Sequence, residues 1–427
     1  MLTGLIILFL WTCLSGLIYI LIRNKKDSLS FPQILIFFGG KIIAGEIYGY
    51  IFKRVYHGDD TWALNNDSIL QYKRLLQSPW QFIKDIFSDS PIPETGEYHF
   101  QFSSYLENLE YAIVTKTMAL FNLISHGNYY INVVFFNFLG FFGVYFFYKL
   151  LADQFGKQNT RLAAIVLFLF PPALFWLSGI RTEGLLMLFT SILLYRFNRW
   201  LKEKNIVDVL VCVACFGMAI ILRNGLALLL VPPLIAWWVV HSFKTGTKTT
   251  FAVTYIICVF VAIAGSFLLP ANLNIFNIIA DRQHKFFGLH GNTRFNLTQL
   301  TAHPLSFIKV LPESLLNTFV RPFMWEAKGV LQWFSSIENM VVLLLLIVFF
   351  VKMKRREKGF PGEPLVWVLL TAGLCNYIVI GYIVPFPGAI VRYKIIPELF
   401  LVGACLTPFL PGHYFRKNQS ITASLQI

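Results

Sequence analysis

Two carboxylates stand side by side in "VYHGDDTWALNNDS", at Asp59 and Asp60, directly after an apolar run that ends at Phe52. A carboxylate at the water boundary of a membrane can take a proton from a hydroxyl nucleophile. Three other polar connections supply the opposite charge: Arg181 with Glu183 in "SGIRTEG", Arg223 in "ILRNG", and Arg392 with Lys394 in "VRYK". Guanidinium groups can hold a phosphate or diphosphate leaving group through paired N–H donors and neutralise the charge that develops on it. An acidic half and a basic half of one site therefore suit group transfer from a phosphate-linked donor. Each residue also has a plainer reading. Asp59 and Asp60 can cap a helix that starts near Trp62. Arg181 and Glu183 can pair with each other, Arg223 can cap a helix C-terminus, and Arg392 with Lys394 can snorkel to lipid headgroups. Gly58 favours a tight turn under either reading.

The histidines add less. His57 and His99 flank the acidic loop and would join Asp59 or Asp60 in a metal site, but no DxD or HxxxH spacing supports one. His57 and Glu183 are kept as candidate substrate contacts. His290, in "GLHGNTRFN", is a third, on a glycine-flanked loop able to fold over substrate as a lid. Asn66 and Asn296 head N-x-S/T triplets, a pattern that arises by chance in long chains. The six cysteines all lie in apolar runs, so no disulfide framework is implied. Cys212 and Cys215 form a CxxC with no second ligand pair and are read as packing residues.

The elements that must position these groups follow from composition. Of 427 residues, 56% are apolar, 17% are aromatic and only 14% are charged, more grease than a soluble core can hide. Apolar stretches near 20 residues match the length of a helix crossing a hydrocarbon core about 30 Å thick. The expected fold class is thus all-α, a polytopic helical membrane bundle. Eleven spans are predicted, at 2–22, 31–51, 130–150, 161–178, 184–198, 206–222, 225–241, 250–269, 337–351, 365–384 and 395–410. The formal charge of +14 does not imply a nucleic-acid partner, because the basic residues sit in short clusters between apolar runs. Alternation places "RNKK", "RFNRWLKEKN", "KTGTK", "KMKRREK" and "FRKNQ" on one side, the cytoplasm by the excess of Lys and Arg. The first run has its basic residues after it, the reverse of a cleavable signal peptide, and is expected to stay as an anchor.

Three regions are expected: an N-terminal anchor and cytoplasmic loop over 1–30, a transmembrane module over 31–410, and a cytoplasmic tail over 411–427. Two long segments, about 53–129 and 270–336, then face outward. The segment from Leu106 carries Glu107, Glu110 and Lys116 and repeats Leu106, Leu109 and Ile113 at helical spacing. It reads as an amphipathic helix in the outer interface, since a span there would invert every later loop. "DSILQYKRLLQ" from Asp67 reads as a second such helix, broken by Pro79. Lys41 and Glu46, five residues apart in the second span, are expected to form a structural pair.

An acidic pair in the first large outer loop, interfacial helices after it, "LRNGLALLLVPPL" in the middle and "VRYKIIPELFLVGA" near the end together resemble the GT-C superfamily of polytopic glycosyltransferases. The likeness is to its protein mannosyltransferase and aminoarabinose-transferase-like branch. The resemblance implies a polyprenyl-phosphate sugar donor, an inverting single displacement, and an acidic residue of the first outer loop as general base. That role falls to Asp59 or Asp60, with Asp59 preferred because it follows the loop glycine. Donor-phosphate binding falls to Arg392, with Arg181, Arg223 and Lys394 beside it. The chain departs from the pattern in its extra first span, in having no soluble outer domain after the last span, and in lacking a "WWDYG"-type signature. A metal is not required where two outer arginines neutralise the leaving phosphate. The implied partners are the polyprenyl-linked donor, a lipid-linked glycan or lipid A-like acceptor, and membrane lipids. The implied setting is a bacterial inner membrane with the active site outside.

Three other classes compete. An O-antigen or exopolysaccharide polymerase or ligase would share the spans and arginines without needing an early acidic base. A lipid or solute transporter would place charges mid-span. A membrane-bound acyltransferase would need a buried catalytic histidine, which no predicted span offers in its interior.

Overall fold

The computed structural model describes residues 2–25, 28–58, 60–86, 102–155, 160–289, 293–354 and 362–407. Among the described residues the regular elements are α-helices and no strand occurs. In chain order they are α1 (Leu2–Ile22), α2 (Phe31–Arg54), α3 (Asp60–Gln77), α4 (Pro79–Lys84), α5 (Phe102–Ser125) and α6 (Tyr129–Phe155). There follow α7 (Thr160–Leu169), α8 (Pro171–Trp176), α9 (Thr182–Glu203), α10 (Ile206–Leu229), α11 (Val231–Phe243) and α12 (Thr247–Leu268). The last five are α13 (Ile275–Phe287), α14 (Pro304–Phe319), α15 (Val330–Lys354), α16 (Glu363–Ile383) and α17 (Pro387–Leu406).

Seven of these, α1, α2, α6, α10, α12, α15 and α16, are long and apolar enough to cross a membrane. The chain is a multi-pass helical membrane protein. Its outer surface suits hydrocarbon: α12 leaves Ile256, Phe260, Phe267 and Leu268 exposed, which only a lipid surrounding makes inexpensive. The other four expected spans are broken, short or charged. The stretch 161–178 is two helices, because Pro171 and Pro172 lack the N–H groups that would continue α7 and instead open α8. Ten residues of α7 reach only about 15 Å. The stretch 225–241 is divided between the end of α10 and the 13-residue α11, opened by Pro232 and Pro233. Helices α9 and α17 have the length, but α9 carries Glu183, Arg196, Arg199, Lys202 and Glu203, and α17 carries Arg392, Lys394 and Glu398.

The chain divides into two compact units, residues 1–150 with 164–227, and residues 151–163 with 228–427. In the first, α3 and α5 pack as a pair, and the break expected at Pro79 is where α4 begins. Leu106 and Leu109 of α5 are buried as their spacing predicted, while Tyr111, Leu120 and Ile124 are exposed. Lys116 also turns inward, donating to the Phe82 carbonyl and, at 3.2 Å, to Gln71 Oε1. In the second unit α13 and α14 pack around Ala280, Leu300, Phe307, Val310 and Tyr382. Gln283 ties that cluster together, donating to the Tyr382 carbonyl at 2.7 Å and accepting from Leu300 N at 2.8 Å.

Candidate functional site

The turn between α8 and α9, Leu177 to Arg181, is held by two helices. Lys41 of α2 donates from Nζ to the Leu177 carbonyl at 3.3 Å and to Ser178 Oγ at 3.1 Å. Asn137 of α6 donates to the Ser178 carbonyl at 2.8 Å. Close approach needs glycine: a Cβ at Gly45 would lie 2.5 Å from the Ser178 carbonyl oxygen, and one at Gly179 would lie 2.7 Å from the Tyr48 ring. Residues 41, 45 and 48 follow the 4-and-3 spacing of one helical face, which is how α2 presents an amine, a gap and a phenol to the same turn. The expected pairing of Lys41 with Glu46 does not occur. Five residues place their side chains about 140° apart around the helix, so Lys41 serves the turn instead.

The turn delivers Arg181, which is 4% exposed. Its Nε donates to Tyr48 Oη at 2.6 Å, and one terminal nitrogen lies 3.1 Å from Asp60 Oδ2. The pair is asymmetric, since the Asp60 side chain is 70% exposed. Asp60 opens α3, and Glu183 sits in the first turn of α9, where a carboxylate meets the positive end of the helix dipole. Arg223 reaches Glu183 Oε1 at 3.1 Å from the point where α10 departs from helical geometry, its backbone there extended. Glu110 of α5 accepts from Thr182 Oγ1 at 2.7 Å. Burial pushes the Glu110 carboxyl above its ordinary value, against the opposing pull of Arg223 and the Thr182 hydroxyl, while Glu183 and Glu107 add to the rise.

Beneath Asp60, α3 is anchored by a buried amide network. Asn132 of α6 donates to Asn65 Oδ1 at 2.9 Å and to Asn122 Oδ1 at 2.7 Å, and Asn122 of α5 donates to Ser68 Oγ at 2.9 Å. Ser125 donates to Asn132 Oδ1 at 2.6 Å. Trp62 stacks on Tyr129 at 4.0 Å between ring centroids and donates to the Gly49 carbonyl at 2.9 Å. The helix expected near Trp62 thus begins at Asp60 and is fixed by its inward face.

Of the candidates named from sequence, Asp60, Arg181, Glu183 and Arg223 come together in the first unit, each within a hydrogen bond or ion pair of that cluster. His57 is exposed, in the left-handed region with φ of 58°, and with Gly58, φ 124°, it makes the tight turn that ends α2. Asp59, His99 and His290 lie outside the described residues. Arg392 and Lys394 belong to the second unit. The Arg392 guanidinium is 5.4 Å from the Tyr393 ring centroid. Lys394, far from snorkelling, is 1% exposed, 3.0 Å from Glu338 Oε1 and 3.3 Å from Glu398 Oε2. Tyr48, Glu110, Glu338 and Glu398 were not singled out as site residues from sequence. Only Glu398 carries a local signal, four residues from Lys394 on one helix. Cys212 and Cys215 are buried thiols, the former directed at the Leu193 carbonyl at 3.6 Å, as packing residues are.

Chemically, the first-unit residues offer an open carboxylate beside a buried guanidinium, a second arginine paired with Glu183, and the Glu110 carboxyl held by Thr182, which lies between Arg181 and Glu183 in sequence. Comparison with protein-family models, curated proteins and solved structures finds no match to this chain.

Proposed function

We propose that the chain is an integral membrane glycosyltransferase that moves a sugar from a polyprenyl-phosphate-linked donor to a lipid-linked glycan or other lipid acceptor, at the outer face of a bacterial cytoplasmic membrane. The observation that carries this reading is the Asp60–Arg181 pair, an exposed carboxylate 3.1 Å from a buried arginine, set at the start of a helix that follows an apolar span. In the proposed step the acceptor hydroxyl gives its proton to Asp59 or Asp60 as its oxygen bonds to the anomeric carbon. The bond from that carbon to the phosphate oxygen breaks, and the electron pair leaves on the phosphate. Arg181 and Arg223 neutralise the charge gained there. The ion pair with Arg181 holds the Asp60 carboxylate beside the basic half of the proposed site. Expectations for Arg392, Lys394, His57 and His290 rest on the resemblance and the sequence alone.

The test measures sugar release from a polyprenyl-linked donor by purified Asp59→Asn and Asp60→Asn. One substitution is expected to lower turnover by about 100-fold or more, the usual worth of a general base, with abundance unchanged. Full turnover in both variants rejects the base assignment. A second reading, a transporter, is favoured by the charges buried within α17, where Lys394 and Glu398 lie inside an apolar helix. The lipid that co-purifies separates the two: a polyprenyl phosphate supports transfer, and a bound solute without one supports transport.

A further inference from the structure

The second unit holds a charged group that the proposed transfer does not use. Lys394 and Glu398 face one another a turn apart on α17, and Glu338 of α15 completes the triad. Tyr377 of α16 donates to Glu398 Oε2 at 3.2 Å, and Asn339 Oδ1 accepts from Lys394. Lys394, Glu398 and Tyr377 are at most 1% exposed, and Glu338 is 8% exposed. One ammonium faces two carboxylates, which leaves one negative charge in excess inside an apolar bundle.

Among the described residues, the ion pairs of the two carboxyl groups are those with Lys394. Helices α15 and α16 pack against α17, and the titratable groups they turn toward the triad are Glu338 and Tyr377. Arg321, on the connection that leads into α15, meets Asn339 only through its backbone carbonyl, while its guanidinium pairs with Glu326 at 3.3 Å. On α17 itself Arg392 lies two residues from Lys394, about 200° around the helix. Meanwhile Glu338 Oε1 and Glu398 Oε1 are both buried with no hydrogen-bond donor, and the two carboxyl groups meet at one ammonium, 3.0 and 3.3 Å from Lys394 Nζ. Two carboxylates that close in low dielectric cannot both stay ionised, and their protons come off as a pair's, not as either residue's. A proton on one group is the donor that the other lacks.

We propose that Glu338 and Glu398 form a proton-binding site, in which a single proton held between the two carboxyl groups at neutral pH renders the Glu338–Lys394–Glu398 group electrically neutral. Alkali removes that proton to solvent hydroxide and leaves a buried negative charge between α15 and α17. The proposal does not rest on the transfer reaction, and its test needs no donor or acceptor. The full chain, purified in detergent, is examined by infrared spectroscopy at pH 7 for the C=O stretch of a buried carboxylic acid. The band is expected in the wild type, lost on raising the pH, and lost at pH 7 in both Glu338→Gln and Glu398→Gln, where a single carboxylate remains to pair with Lys394. Both variants are also expected to lose less thermal stability in alkali than the wild type does. Absence of the band in folded wild-type protein overturns the proposal, whether or not the variants fold. Persistence of the band in either folded variant overturns it too, as does stabilisation of a band-free wild type by sodium, which would make a metal cation the compensating charge.

Discussion

The two charged clusters use similar ingredients and treat them differently. In the first unit Asp60 keeps an open face while its partner Arg181 is fixed by Tyr48 and by the clamped turn that carries it. In the second, Lys394 and its two carboxylates are sealed among α15, α16 and α17. An ion pair whose carboxylate stands in water contributes about 0–1 kcal/mol to stability, so the placement of Asp60 is not explained by what it adds to the fold. A sealed pair is another matter, because removing one partner strands the other without water. The difference separates charge held for contact with something outside from charge held in balance within.

Substitutions that break or sharpen this contrast rank by their expected effect on stability. Lys394→Met strands a buried carboxyl pair without its cation and is expected to cost about 3–5 kcal/mol, seen as a large fall in the melting temperature of detergent-purified protein. A shift of a degree or less would show that the triad is hydrated, and the contrast would collapse. Next is Gly45→Ala, whose new methyl carbon would press on the Ser178 carbonyl oxygen from 2.5 Å away. Overpacking against backbone costs about 1–3 kcal/mol, and here it also displaces the turn that delivers Arg181, so donor turnover should fall with stability. Unchanged melting would mean that α2 and the turn have room to separate.

Glu110→Gln is subtler. Because burial raises the Glu110 carboxyl above its unfolded value, its contribution to stability is greatest in acid and is lost as pH rises through that raised value. The glutamine can still accept from Thr182, so melting curves taken from acid to neutral pH should show the variant gaining on the wild type as pH increases. A constant difference across that range would remove Glu110 as the titrating group. Asp60→Asn comes last, within about 0.5 kcal/mol of wild type as exposed substitutions are, even if donor turnover collapses. A large loss of stability there would make the Asp60–Arg181 pair structural and merge the two clusters into one kind.

How much of this was legible beforehand depends on distance along the chain. The break at Pro79, the apolar stripe of Leu106 and Leu109, and the turn at Gly58 are local and follow from proline, periodicity and a positive φ. Pro171 and Pro172 are an equally local signal: within an apolar stretch of spanning length they give α7 and α8 in place of one span. The Asp59–Asp60, Arg181 and Arg223 segments were singled out because charge beside an apolar run is expensive. Their actual partners were not visible, since Tyr48 and Arg181 are 133 residues apart and Thr182 and Glu110 are 72 apart. Lys41 shows the cost of reading pairs from proximity in sequence, for its partner lies 137 residues away.

The amide network under α3 has a mechanical consequence. Asn65, Asn122 and Asn132 bolt two amphipathic helices to α6, a helix long enough to cross the bilayer. The position of Asp60 relative to α6 is then set by protein bonds to that post, not by where a loose helix would float. When the surrounding membrane thins or thickens, α6 can absorb the mismatch by tilting, and the carboxylate travels with it as part of one lever.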